Sequence, residues 1–269
     1  MSRPTSTKTF YFEADAHSLG GFVSHPSQKM IPSQANSSLP AVGGHVTTST
    51  GAFSHDSIVS CRSAYTRVSG REHEIDGPWS MVVTSVVEGL NIMEVLTAER
   101  IVAQVSVVYS KDQKHPEVSF AGSHFDGVRL GNRDLNPTMN PTLFKGGGSL
   151  SHEQFQQISR TQGKAIVGCA KGSSSKWVRD RFGWMNTNQK SGDDRCVLCS
   201  LVDDVSHDIP GTPYCHAVEI PHFGRIFFGE FSSRPGSIRL AMVRAELGCN
   251  VQGNISASVV GPGGSGFPP

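Results

Sequence analysis

Apolar and polar positions alternate along much of the chain. In "SIVSCRSAYTRVSG" (57–70), Ile58, Ser60, Arg62, Ala64 and Thr66 share one face, and Val59, Cys61, Ser63, Tyr65 and Arg67 the other. A period of two predicts a strand. "WSMVVTSVVEGLNIMEVLTAERIVAQVSVVYS" (79–110) is dense in Val and Ile, with Gly89 and Asn91 marking a turn. Its middle, 89–105, also spaces Leu90, Met93, Leu96, Ile101 and Val105 loosely as a helix would. The crowding of β-branched residues and the alternation over 101–109 favour strands. "EVSFAGSHFDGVRLGN" (117–132) adds one or two more. "GRIFFGEF" (224–231) and "SIRLAMVRAELG" (237–248) alternate as well. In the latter, Ile238, Leu240 and Met242 oppose Ala241, Val243, Ala245 and Leu247, so both faces are apolar and a central strand is expected. "NVQGNISASVV" (250–260) is expected to pair beside it.

The region 132–195 is less regular. It contains one helix signal, "GGGSLSHEQFQQISRTQ" (146–162), where Ser151 and Gln154 form a capping box ahead of Phe155 and Ile158. A short helix near 151–160 follows, then a buried strand over "KAIVGCA" (164–170). Residues 1–55 read as a polar, partly extended N-terminal segment, with short strands over 9–15 and 44–50 and a loop between. Residues 56–260 form the β-rich domain, with 132–195 as an irregular insert, and 261–269 read as a flexible tail. The fold class is all-β: an antiparallel β-sandwich or barrel-like sheet with one short helix.

Composition agrees with that reading. Of 269 residues, 37% are hydrophobic and 17% charged, with 29 Gly and 15 Pro, which suits short strands joined by turns. A net charge of +1 gives no global field toward nucleic acid or anionic membrane. No run approaches the roughly 18 apolar residues of a membrane span. The N-terminus lacks the apolar run of a secretory signal, so a cytoplasmic protein is expected, with export by another route left open.

The stretch 193–224 collects Cys196, Cys199, His207, Cys215, His216 and His222. Zinc needs converging side chains about 2.3 Å from each sulfur. Cys196 and Cys199 stand in "RCVLCSLV" without a Gly or Pro knuckle, and residues three apart on a strand face opposite ways. The expectation is no metal and no cofactor, with the thiols as alternating strand residues. No nucleotide fingerprint, serine elbow or zinc-protease helix is present.

Two polar constellations stand out. In "SSSKWVRDRFGWMNTNQK" (173–190), Lys176, Arg179, Arg181 and Lys190 interleave with Trp177, Phe182 and Trp184. Cations beside aromatic faces suit an anionic or sugar ligand or single-stranded nucleic acid, with Lys176, Trp177, Arg179, Arg181 and Trp184 as its binding residues. The plainer reading is a surface loop whose Trp rings point inward. In "GSHFDG" (122–127), His124 and Asp126 share a strand face, and Asp126 is placed to orient the imidazole. With His216 and His222 they are the candidate catalytic groups. "REHEIDGPW" (71–79) reads as an exposed acidic turn, and "KGGGSLS" (145–151) as the lead into a helix N-terminus.

The phrases "VEGLNIMEVLTAERIVAQV", "GSHFDGVRL" and "FGRIFFGEF…RLAMVRAELGCNVQG" resemble segments of bacterial all-β proteins of unknown function, over about residues 55–130 and 195–255. A more distant likeness is to choice-of-anchor modules of surface-anchored proteins. The resemblance implies a compact all-β module and no reaction or cofactor. Three functions stay open. The first is a non-enzymatic β protein that binds a ligand or self-assembles through strands such as 254–260, giving a homo-oligomer. The second is a small-molecule enzyme with a His/Asp site in a β-barrel or sandwich mouth. The third is a glycan or nucleic-acid binder working through 173–190.

Overall fold

The computed structural model describes residues 10–23, 29–75, 77–112, 115–144, 150–170, 175–186, 196–205, 208–234, 237–247 and 253–260. The protein is all-β, built on two large antiparallel sheets. The first is organised on one long hairpin. The strand Trp79–Ile92 runs antiparallel to Leu96–Tyr109 from Trp79↔Tyr109 to Ile92↔Leu96. The expected turn at Gly89 and Asn91 lies a few residues later, at Met93 and Glu94, whose φ angles are 52° and 59°. Asn91 closes it by accepting the Glu94 N–H through Oδ1 at 2.8 Å. The helical alternative for 89–105 is thus not adopted. Ser63–Glu72 pairs along the outer flank of Trp79–Ile92, and the short strands Glu117–Ser119, His124–Asp126 and Arg129–Leu130 pair along Leu96–Tyr109.

The second sheet centres on Gly224–Arg234, Ser237–Leu247 and Gly253–Val260. Ser237–Leu247 is central, as its two apolar faces require. The inner faces of the two sheets close one apolar core. Ring contacts cross it: Phe120 meets Phe231 edge-on at 4.7 Å, and Phe125 meets Phe228 at 6.0 Å. The sandwich half of the expectation is therefore the observed one.

Residues 10–55 are not a separate segment. Gly44–Thr50 pairs with Ser63–Glu72 in the first sheet. Asp15–Ala16 and Leu19–Val23 both pair with Gly253–Val260 in the second, and the expected loop over 24–40 contains the strand Lys29–Gln34. This placement also removes the motive for self-assembly through 254–260. That strand is hydrogen-bonded on both flanks, to Ser237–Leu247 and to the N-terminal strands, so it offers no free edge there. The expected tail, 261–269, lies outside the described residues.

Alternation slips at Gly229. Ile226 and Phe228 join the main core before it and Phe231 after it, while Glu230 turns to the side of Phe227. Gly229 has φ 64°, and a Cβ there would stand 3.0 Å from Leu201 Cβ. Glycine lets the segment 200–202 cross close over the strand, where the Leu201 N–H donates to Gly229 O at 2.8 Å.

The outer face of the second sheet carries the helices. The helix His152–Cys169 begins where the capping box places it, with Ser151 Oγ accepting the Gln154 N–H and Gln154 Oε1 accepting the Ser151 N–H. It runs well past 160, and the strand expected over 164–170 is its second half. Phe155, Ser159, Gln162, Gly163 and Ile166 form one buried stripe at helical spacing, which overrides the β-branched Ile166 and Val167. The expected loop 173–190 contains another helix, Lys176–Phe182, with Val178 and Phe182 buried four residues apart, followed by a 3-10 turn, Gly183–Asn186. Ile166, Val178, Phe182, Met185, Tyr214 and Phe227 make a second apolar cluster beneath these helices. Replacing Ser151 by Ala is expected to cost about 1 kcal/mol, because the Gln154 N–H loses its acceptor at the helix start. Urea unfolding of the two proteins measures it, and equal midpoints would show that the cap does not hold the helix.

Candidate functional site

A half-open cleft of about 600 Å³ lies between the long helix, the segment 140–142, the strand Val202–Asp204 and the turn at 215–216. Its floor is a locked polar network. Gln162 reaches from the buried stripe of the helix to Ser200, donating from Nε2 to the carbonyl at 2.8 Å and accepting the N–H through Oε1 at 2.8 Å. The side-chain amide thereby fills both backbone bonds of Ser200, as a paired strand residue would. The same Nε2 lies 3.1 Å from Asp203 Oδ1, and Asn140 Nδ2 donates to that oxygen at 2.7 Å. Asn140 is held in turn, since its Oδ1 accepts the Thr142 N–H at 2.9 Å and its own N–H donates to Leu201 O at 2.8 Å. Asp203 is fixed through one oxygen, and among the described residues nothing bonds its Oδ2.

Cys215 and His216 form the two-residue turn between Thr212–Tyr214 and Ala217–Ile220, with Cys215 at φ 52°. Both line the cleft. His216 is 3% exposed, its Nε2 has no hydrogen-bond partner, and it stands 3.8 Å from Glu230 Oε1. Behind it lies an ion cluster. Glu230, 8% exposed, meets Arg244 Nη2 at 2.9 Å and Arg181 Nη2 at 3.4 Å, and Glu246 meets Arg181 Nη1 at 2.9 Å. Both guanidinium groups sit against the Phe227 ring, at 4.2 and 4.5 Å.

This arrangement redirects the basic-aromatic stretch. Arg181 is held by Glu230 and Glu246, and Arg179 Nη1 donates to Ala170 O at 2.8 Å. Trp177 packs edge-on against Tyr214 and Phe227 and carries Arg225 on its face at 4.4 Å. Trp184 is half-buried beside the second cluster, and among the described cations and rings of the stretch only Lys176 is exposed. Phe182 is fully buried, and Lys190 lies outside the described residues. Of these cations Arg181 faces carboxylates within the protein and Arg179 a backbone carbonyl, while Lys176 faces outward.

The catalytic candidates do not form one constellation. His124 and Asp126 do meet, Nε2 to Oδ2 at 3.3 Å, both about half exposed on the first sheet. His124 Nδ1 lies 2.8 Å from Gly122 O, so each ring nitrogen faces an oxygen. His216 is buried on the second sheet, and His222 is exposed on the turn 221–223 at φ 62°. In the C-x-x-C pair, both thiols are free. Cys199 is buried with Sγ 3.3 Å from Phe155 O, and burial pushes its thiol well up; Cys196 is half-exposed at the strand's start. Among the described residues no cluster of three or more His, Cys, Asp or Glu could hold a metal ion; His207 and Cys249 lie outside them, as does most of the glycine-rich stretch 145–151. No helix among the described residues is long and apolar enough to cross a membrane.

Sequence reasoning did not select Asn140, Gln162 or Asp203. One signal was present: Gln162 is a polar residue on the apolar stripe of a helix, which a buried hydrogen-bond partner explains. A family model described as "Domain of unknown function (DUF8256)" matches residues 10–233, a stretch that contains the whole cleft. No curated protein and no solved structure matches the chain.

Proposed function

The chain belongs to the DUF8256 family, a domain of unknown function, and we propose that this member is a non-enzymatic binding protein that takes a small molecule rich in hydrogen-bond donors, a polyol, sugar or amine, into the cleft. The observation that carries the reading is Asp203. Its carboxylate is pinned by two side-chain amides through Oδ1, while Oδ2 remains for a donor from outside. Positioned acceptors cost little to order on binding. The hydroxyl of Thr161 and the amide of Gln157 add polar contacts at the helix side, and Ile158 and Val202 supply apolar wall. A few fixed polar groups on a partly apolar lining is the usual composition of a small-molecule site. Asp203 carries the only formal charge among the lining residues when His216 is neutral, so a donor-rich neutral molecule or a cation fits better than an anion.

The test is a thermal-shift screen with monosaccharides, polyols and primary amines. At a ligand concentration near 100 Kd, linkage gives about 2.7 kcal/mol, which for a chain of this size is a rise of roughly 5–10 °C in Tm. Asp203→Asn is expected to remove the rise. Ala165→Trp is a second control, since Ala165 is exposed on the cleft wall and the indole fills the space without touching the buried network. A parent that responds to none of the three classes, or a rise that survives Ala165→Trp, overturns the reading.

A further inference from the structure

Two of the free cysteines lie far apart in sequence and together in space. Cys169 is the last residue of the long helix and is exposed; Cys215 lies in the turn that lines the cleft. Their sulfur atoms are 3.8 Å apart, in van der Waals contact. A disulfide needs about 2.05 Å between sulfurs, so the two must approach by under about 2 Å to close it. We propose that Cys169 and Cys215 are an oxidation site: a thiol pair that reacts with a disulfide-class oxidant, such as oxidised glutathione, to form an intramolecular disulfide at the rim of the cleft.

The two thiols have different parts in the reaction. Burial, and then the neighbouring Cys169 sulfur, pushes the Cys215 thiol up to about 12. Cys215 is therefore a scarce thiolate and a poor first attacker. Cys169 is open to solvent, so the oxidant arrives there. Its thiolate attacks one sulfur of the oxidised glutathione, forming a mixed disulfide at Cys169 and expelling one glutathione thiolate. Cys169 then carries no charge, which lifts its share of the penalty on Cys215. The Cys215 thiol passes its proton to water or to the expelled thiolate and attacks the Cys169 sulfur. The Cys169–Cys215 bond forms and the second glutathione leaves. Two protein thiols are oxidised by two electrons, and one glutathione disulfide is reduced to two glutathione molecules.

The other described thiols fit this chemistry less well. Cys199 is 1% exposed and Cys61 4% exposed, so neither is reached by a peptide-sized oxidant in the folded protein. Cys196 is half-exposed without being joined to another cysteine. The product fixes the C-terminal end of the helix to the turn that carries His216, joining two walls of the cleft. This chemistry needs no ligand, so it stands or falls separately from the binding reading.

The test is equilibration of the whole protein in glutathione buffers from fully reduced to fully oxidised, followed by acid quench, alkylation and peptide mapping by mass spectrometry. The expected product is a cross-linked peptide pair joining Cys169 to Cys215, a loss of 2 Da from the intact mass, and return to the free thiols with excess dithiothreitol. The loop enclosed between 169 and 215 is long, so the oxidised protein is expected to melt roughly 5–10 °C higher. Cys215→Ser is expected to accumulate the Cys169–glutathione mixed disulfide, about 305 Da heavier, because the resolving thiol is missing. Cys169→Ser is expected to leave Cys215 unmodified. Absence of the cross-linked peptide in the fully oxidised buffer, or a Cys215→Ser variant that takes up no glutathione at Cys169, overturns the proposal.

Discussion

Replacing Glu230 by Ala is expected to cost about 3–5 kcal/mol, the range for breaking a buried ion pair by removing one partner. Glu230 is the hub of the cluster under the helices. It bridges Arg181 of the helix Lys176–Phe182 and Arg244 of the neighbouring strand, and His216 approaches it as well. Removing it leaves two guanidinium groups sharing Glu246 alone, with Arg181 28% and Arg244 20% exposed. Total stability of a domain lies around 5–15 kcal/mol, so the loss is a large fraction of it. Urea unfolding should show a lower midpoint with an unchanged slope. Glu230→Gln, which keeps the shape and loses the charge, should fall between. A loss under about 1 kcal/mol for the Ala variant would mean that water reaches the cluster and the charges are solvated.

Phe231→Ala is expected to cost a similar amount, about 3–5 kcal/mol, for a different reason. The ring is fully buried and touches Phe120 at 4.7 Å and Phe155 at 4.9 Å. It therefore joins the second sheet, the far end of the first sheet and the long helix at one point. Truncation leaves a cavity lined by two other rings, and neither can move into it without leaving its own contacts. Equilibrium unfolding followed by near-ultraviolet circular dichroism measures the cost. Phe231→Leu should recover about half of the loss, and an Ala variant within about 1 kcal/mol of the parent would show that the site collapses freely.

Strands such as Ser63–Glu72 were legible because one face is buried in the sandwich, and burial of one face writes a period of two into the sequence; Ser237–Leu247 was legible by its two apolar faces. The helix start was legible for a local reason, the Ser151–Gln154 box. Its continuation was not, because Ile166 and Val167 look like a strand when the stripe back to Phe155 is left out. The slip at Gly229 was also invisible, since a register change needs the crossing segment 200–202 to explain it. The cleft could not be read at all. Asn140 and Asp203 are 63 residues apart, and Cys169 and Cys215 are 46 apart, and no spacing rule connects such positions. The basic-aromatic stretch was visible as unusual, but its direction was set by Glu230 and Glu246, 49 and 65 residues from Arg181. Charge pattern reveals that a group needs a partner; it does not say whether the partner is inside the protein.

The strand Gly253–Val260 lies between Ser237–Leu247 and the strands at 15–23, so Asp15 meets Val260 across nearly the whole chain. During synthesis the strands at 15–23 emerge well before the strand they pair with, 253–260. The first sheet's long hairpin forms from contacts close in sequence and is free to form on the ribosome. The N-terminal flank of the second sheet cannot close until residue 260 has left the exit tunnel. Until then it exposes unpaired amides that a chaperone, or another nascent chain, is able to capture.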